Sequence, residues 1–174
     1  ARERIENEKC QEITLDQIYD TIATEYGIEK NVLDKLKSKE MEYEVRFCTR
    51  RNTGYELYTL ALAMGKKVIF TSDMYLSRET INKILEKNGY IDNEKLYLSS
   101  EIKLSKSKGD LFKYVLSDLK IESAQMLHIG DNYGPDVEIP RKLKINSMHL
   151  PKATDVAQNQ EKVNLFSKML MQNM

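Results

Sequence analysis

The hydrophobic rhythm of the chain changes once, near residue 64. Up to there, apolar side chains recur every three or four positions: Leu15, Ile18, Tyr19, Ile22 and Tyr26, then Leu57, Leu60, Ala61 and Met64. That spacing collects them on one face of a helix. Thr14-Leu15-Asp16-Gln17 has the form of a capping box, in which threonine accepts an amide proton and glutamine reaches back. Gly27 stands where a left-handed residue ends a helix. A second helix, heavily charged on one face, is expected over about 32–47. Thr53-Gly54-Tyr55-Glu56 repeats the capping-box form and predicts a third helix start, with Gly65 as its stop.

From Lys66 onward, short β-branched and aromatic runs alternate with helical ones. "KKVIFTSD", "KLYLSS", "AQMLHIG" and "INSMHL" read as four strands. Between them, Ser77 is placed to cap a helix carrying Ile81, Ile84 and Leu85 that stops at Gly89. Gly109 to Leu119 and Val137 to Leu143 predict two more helices, and Thr154 begins a last one with Val156, Val163, Leu165, Phe166 and Met169. Strands alternating with helices predict an α/β fold with a parallel sheet covered on both faces. The pattern divides the chain into an all-helical part over 1–64, an alternating part over 65–152 and a C-terminal helix over 153–174.

Composition narrows the class. At 174 residues the chain suits one domain or a core with an appendage. The 27 basic and 27 acidic side chains cancel, which argues against a nucleic-acid binder, since such proteins carry a basic excess. Cys10 and Cys48 form no CxxC pair and are expected to be reduced thiols. His128 and His149 lack metal-ligand spacing, and His128 reads as a packed strand residue. The start is charged and no apolar run approaches the ~20 residues of a membrane span, so a soluble, cytoplasmic protein is expected. The first residue is Ala1, not methionine, and the chain is expected to be a piece of a longer one.

The ends of the four strands carry the candidate chemistry, because ligands of open parallel sheets sit outside the carboxyl ends of strands. The first strand ends in Thr71-Ser72-Asp73. The second ends in Ser99-Ser100 and is followed by "EIKLSKSKGD", which holds Lys106. The third ends in "HIGDNYGPD", with Asp131 and Asp136, and the fourth in His149-Leu150-Pro151. A hydroxyl binds phosphate oxygens, a lysine offsets their charge, and two carboxylates suit Mg²⁺, which takes a few carboxylates together with water and phosphate oxygens. Each residue alone has a plainer reading: Ser72 beginning a turn, Lys106 one surface lysine among several, Asp131 or Asp136 capping a helix. Their order along successive strand ends favours the joint one.

In that order the sequence resembles the haloacid dehalogenase-like (HAD) hydrolase superfamily. "VIFTSD" is similar to its second motif, with Ser72, or its neighbour Thr71, as phosphate-binding hydroxyl. "KSKGDLF" is similar to the third, with Lys106, and "HIGDNYGPD" to the fourth, with Asp131 and Asp136 on the metal side. From "EITLDQIY" through "SDMYL" to "HIGDN" the chain looks like predicted HAD hydrolases found in, or fused to, bacterial glycosyltransferase and surface-polysaccharide proteins. The resemblance implies a Rossmann-like core over 65–152 under a helical cap over 1–64, Mg²⁺ as cofactor, and a small phosphorylated substrate such as a sugar phosphate. It also implies an associated or fused glycosyltransferase as partner, with neither nucleic acid nor membrane involved.

One element of the family pattern is missing. The first motif, Asp-x-Asp, supplies nucleophile and general acid/base, and no Asp-x-Asp pair occurs in this chain. The first strand of the core is therefore expected to be absent and this polypeptide to be inactive alone, its longer parent being a phosphohydrolase. The alternative is a non-catalytic HAD-like module of a larger glycosyltransferase or surface-polysaccharide protein. A signalling receiver domain is set aside, since there the acidic residues precede the hydroxyl and lysine.

Overall fold

The computed structural model describes residues 11–152 and 154–156. The final helix expected from Thr154 is seen only in its first three residues, and the rest of that expectation lies outside the described residues, as does Cys10. Contacts divide the chain into two compact units, one ending at Leu111 and the other starting at Phe112. The expected helical region and the first two strands thus fall within the same unit.

The first unit opens with helix α1 (Leu15–Tyr26). Its capping box forms as read: the Gln17 amide donates to Thr14 Oγ1 at 3.3 Å, and the Thr14 amide donates to Gln17 Oε1 at 2.9 Å. Gly27 ends it at φ 62°, its N–H donating to the Ala23 carbonyl, a conformation that favours glycine. Helix α2 (Lys30–Phe47) starts two residues before the expected position. Helix α3 (Asn52–Ala63) corrects the second capping-box expectation: its N-cap is Arg51, without a side-chain cap bond, and Thr53 lies inside the first turn. Tertiary anchoring sets that entry. The Arg50 amide donates to Asn88 Oδ1 at 2.7 Å, and the Arg50 guanidinium lies 3.9 Å from the centroid of the Tyr55 ring, a favourable cation–π placement.

Strand β1 (Ile69–Ser72) pairs in parallel with β2 (Lys95–Leu98), Ile69 opposite Lys95 and Ser72 opposite Leu98. Helix α4 (Arg78–Lys87) connects them, with Ser77 Oγ accepting from the Thr80 amide as its N-cap. Helix α5 (Ser99–Ile102) follows β2 directly. The core of this unit gathers Leu15, Leu76, Ile81, Leu96 and Leu98, with Phe70 and Met74 packed against it. Beside it Tyr55, Tyr58, Phe70 and Tyr90 contact one another through edge-on, tilted and stacked rings.

A polar clamp ties the helices to the loop after β1. Glu40 of α2 accepts from the Tyr19 hydroxyl at 2.7 Å and the Tyr75 hydroxyl at 3.2 Å. Burial, and then the Glu40 bond, push the Tyr19 phenol up from 10.0 to about 12. The fold favours the neutral phenol, so this contribution to stability is complete below about pH 10 and is lost as pH rises through the folded value near 12. Glu40→Gln is expected to bring the Tyr19 phenolate in at lower pH, read from its near-ultraviolet absorbance. A titration curve identical to that of the parent chain would count against the clamp.

Helix α6 (Asp110–Leu119) leads into the second unit. There, strand β3 (Leu127–Gly130) pairs in parallel with β4 (Asn146–His149), Leu127 opposite Asn146 and Gly130 opposite His149. Between them come a wide turn over Gly134–Glu138, closed by the Ile139 N–H on the Gly134 carbonyl, and helix α7 (Ile139–Lys142). Phe112, Val115, Met126, Val137 and Ile145 are buried in this unit. Among the described residues no helix is long and apolar enough to cross a membrane.

Candidate functional site

In the first unit the end of β1 is held to the lysine loop. Thr71 and Ser72 are both half-buried at the strand end. The next residue, Asp73, accepts the Lys106 N–H on both carboxylate oxygens, each at 3.1 Å. The structure therefore brings the Ser72 and Lys106 segments together through Asp73. Lys106 is half-buried whereas Lys108 is exposed, and it sits in a turn ahead of α6, with the Gly109 N–H donating to its carbonyl at 2.9 Å.

Gln11 braces that turn from the other side. Its Oε1 accepts from the Ser105 amide at 2.9 Å and the Ser105 hydroxyl at 3.2 Å, while its Nε2 donates to Asp110 Oδ2 at 2.8 Å. Ser105 is buried and its carbonyl takes the Leu111 N–H. The backbone that carries Lys106 is thus held from both sides. Sequence reasoning missed Gln11, Asp73 and Ser105 as supports. Asp73, next to the hydroxyl, carried a visible signal, whereas Gln11 lies 94 positions before Ser105 and carried none.

In the second unit the two aspartates have different surroundings. Asp131, just past β3, is exposed. Asp136 is only 3% exposed. Its Oδ2 accepts the Asn132 amide at 3.0 Å, its Oδ1 lies 3.0 Å from His128 Nε2, and its own amide donates to the Asn132 carbonyl at 2.8 Å. A carboxylate only accepts, so the His128 ring donates through Nε2–H. His128 is buried in β3, with the Phe112 ring edge-on at 4.8 Å between centroids.

The fourth strand contributes through His149. Its Nε2 lies 3.2 Å from the Asp131 carbonyl, which can only accept, and the Tyr133 ring meets its imidazole edge-on at 5.4 Å. The Leu150 amide donates to the Gly130 carbonyl at 2.9 Å. Sequence reasoning named His149 as a strand end and as a histidine without metal-ligand spacing, and missed this contact.

Among the described residues no group of three or more His, Cys, Asp or Glu is placed to hold a metal. Mg²⁺ keeps several waters and takes one or two carboxylates with phosphate oxygens. Asp131, exposed just past β3, is a carboxylate of the kind such a site takes.

No protein-family model and no curated protein matches the sequence. Solved structures do. A HAD-family enzyme from Bacteroides thetaiotaomicron in its magnesium complex superimposes with a TM-score of 0.61 and 19% identity, over 86% of this chain and 74% of that one. A dehalogenase with an intermediate complex gives 0.58 and 13%, over 75% of this chain and 56% of that one. A haloacid dehalogenase-like family hydrolase from Xanthomonas campestris gives 0.56 and 17%, over 78% and 56%. The chain thus spans little more than half the length of the latter two structures. At these identities the likeness concerns architecture: the chain has the HAD-like α/β fold.

Proposed function

From that fold, we propose that these residues belong to an Mg²⁺-dependent phosphohydrolase acting on a small phosphorylated metabolite such as a sugar phosphate. The observation that carries the reading is the braced pairing of the Ser72 strand end with the Lys106 loop through Asp73. Ser72, or Thr71, takes phosphate oxygens and Lys106 offsets their charge. On this reading Asp131 and Asp136 belong to the metal side, and bound Mg²⁺ would stabilise charge on the transferring phosphoryl group. The wild-type Bacteroides enzyme, solved in complex with magnesium and inorganic phosphate, supports the choice of ligand chemistry.

The sequence holds no Asp-x-Asp pair. On this reading the attacking carboxylate is not supplied by residues 1–174, and the chain alone is inert. The same observation favours a second reading, a HAD-like module that positions a glycosyltransferase without catalysis of its own. Phosphate release from a panel of phosphate monoesters separates the two. A version carrying additional upstream sequence with Asp-x-Asp is expected to be active only with Mg²⁺, and Ser72→Ala, Lys106→Ala or Asp131→Asn is expected to cost it about 10²-fold or more, the scale of losing one charge-stabilising group. Inertness of the extended version across the panel would favour the module.

A further inference from the structure

Helix α2 has a second apolar face that the first unit leaves uncovered. Leu33 is buried and Met41 packs against the core, whereas Val32, Leu36, Tyr43 and Phe47 are each between 45% and 67% exposed. At 3.6 residues per turn these four fall within about 60° of one another around the helix axis, so they form one narrow stripe. The Tyr43 and Phe47 rings touch, 5.8 Å between centroids. The stripe is thus aliphatic toward the helix N-terminus and aromatic toward its C-terminus. Beside the aromatic half lies a hollow of about 490 Å³ lined by Glu40, Tyr43, Glu44, Phe47 and Cys48. A contiguous exposed apolar patch of this kind marks an interaction surface.

Its spacing identifies the occupant. From Val32 to Phe47 the intervals are four, seven and four residues, the same in both directions about a midpoint between Lys39 and Glu40. A second copy laid antiparallel on the first sets Val32 against Phe47 and Leu36 against Tyr43, and the two-fold axis repeats both contacts. Each then joins a smaller aliphatic to a larger aromatic side chain, so the two surfaces interdigitate. A parallel copy would instead set aromatic on aromatic and leave the aliphatic ends loosely filled.

The charges favour the same arrangement. Lys35, Lys39 and Glu42 are exposed along the stripe. In the antiparallel pair, Glu42 of one copy falls between Lys35 and Lys39 of the other, about 3 Å along the axis from each. Lys39 stands nearest the two-fold axis, where its own copy would repel it. Its Nζ already lies 2.6 Å from Glu42 Oε2, which counters that charge and lets the aliphatic stem lie over the stripe.

We propose that α2 is the interface of a weak homodimer, two copies pairing antiparallel through Val32, Leu36, Tyr43 and Phe47. The contact is isologous, the self-complementary kind that a two-fold axis requires. One pair of 18-residue helices covers less than the roughly 800 Å² per partner of a standard stable interface, so the dimer is reversible. This inference goes beyond the phosphohydrolase reading and does not depend on it.

The test is sedimentation velocity of the chain over about 1–500 µM, where a weak dimer dissociates within the range. A monomer–dimer equilibrium is expected, and Leu36→Glu or Tyr43→Glu should weaken it about 10-fold or more. Both positions are exposed, so the urea midpoints of these variants should stay at the parent value. Charge reversal reads the orientation. Glu42→Lys and Lys35→Glu each set like charges opposite one another and should weaken self-association about 3–10-fold at low salt. An equimolar mixture of the two should recover the parent affinity, because each copy then meets its opposite. A parent chain that stays monomeric throughout overturns the proposal. So does association that folded Leu36→Glu and Tyr43→Glu leave unchanged, or a mixture no tighter than either charge variant alone. Hydroxyl-radical labelling of Tyr43 and Phe47 separates the other occupants. Protection that appears only at dimer-forming concentrations supports the pairing, whereas protection already complete in the monomer shows the stripe covered by the chain's own residues and overturns it.

Discussion

Gly130→Ala is expected to destabilise the chain by about 2–5 kcal/mol, an overpacking cost combined with a disturbed buried hydrogen bond. The cost is steric. A Cβ at position 130 would stand 2.4 Å from Asp136 Cγ, 2.5 Å from Oδ2 and 2.6 Å from its Cβ. None of these belongs to a flexible far end, for Asp136 is short, buried and bonded at both oxygens. Something must move, and every available movement lengthens a bond to Asn132 or His128. The sign of the effect is what makes the test sharp. Where the folded backbone accepts a methyl group without strain, glycine to alanine stabilises by about 0.4–1 kcal/mol through the unfolded chain. A urea titration therefore separates the two cases, and an unchanged or raised midpoint would show that the β3 turn has room the structure does not give it.

The same position shows how far the sequence could be read. "HIGDNYGPD" announced a polar strand end, and β3 does end at Gly130. The glycine and the distant aspartate, however, read as separate items, and their contact exists only because the wide turn over Gly134–Glu138 brings Asp136 back onto the strand. Local signals carried well where the interaction was local: Thr14 with Gln17, Ser77 with Thr80, and Gly27 at its left-handed φ all lie within one turn of their partners. Thr53 failed because its rival was remote. Asn88, 38 positions onward, anchors Arg50 and starts the helix before the threonine.

The supports of the candidate site follow the same rule. Ser72, Lys106, Asp131 and Asp136 were nameable from residue type and order. What ties Lys106 down comes from Asp73, 33 positions away, and from Gln11, and neither spacing leaves a periodic trace. Burial was equally hidden. Nothing in an Asp-x₄-Asp spacing says that its first residue is exposed and its second is enclosed, since that depends on which one meets the buried imidazole of His128.

Phe112→Ala is expected to be the second large loss, about 3–5 kcal/mol for truncating a buried phenylalanine to alanine. Phe112 is fully buried, and its ring meets His128 edge-on, a geometry that adds attraction beyond the area covered. The vacated space would border the His128 imidazole, a polar group able to draw in water. The consequence therefore reaches the turn as well as the core: with water at His128, the Asp136 carboxylate has a competing partner and the Asn132 amide should exchange faster than in the parent chain. Phe112→Leu fills most of the space and is expected to lose less on both measures. Leu127→Ala supplies the contrast within the same strand, because Leu127 is 58% exposed and its truncation should cost well under 2 kcal/mol, in the range of surface substitutions. If Phe112→Ala lowers the unfolding midpoint but leaves Asn132 exchange at the parent rate, then Phe112 supports the core alone, and the enclosure of Asp136 is maintained by its bonds to His128 and Asn132 without the ring above them.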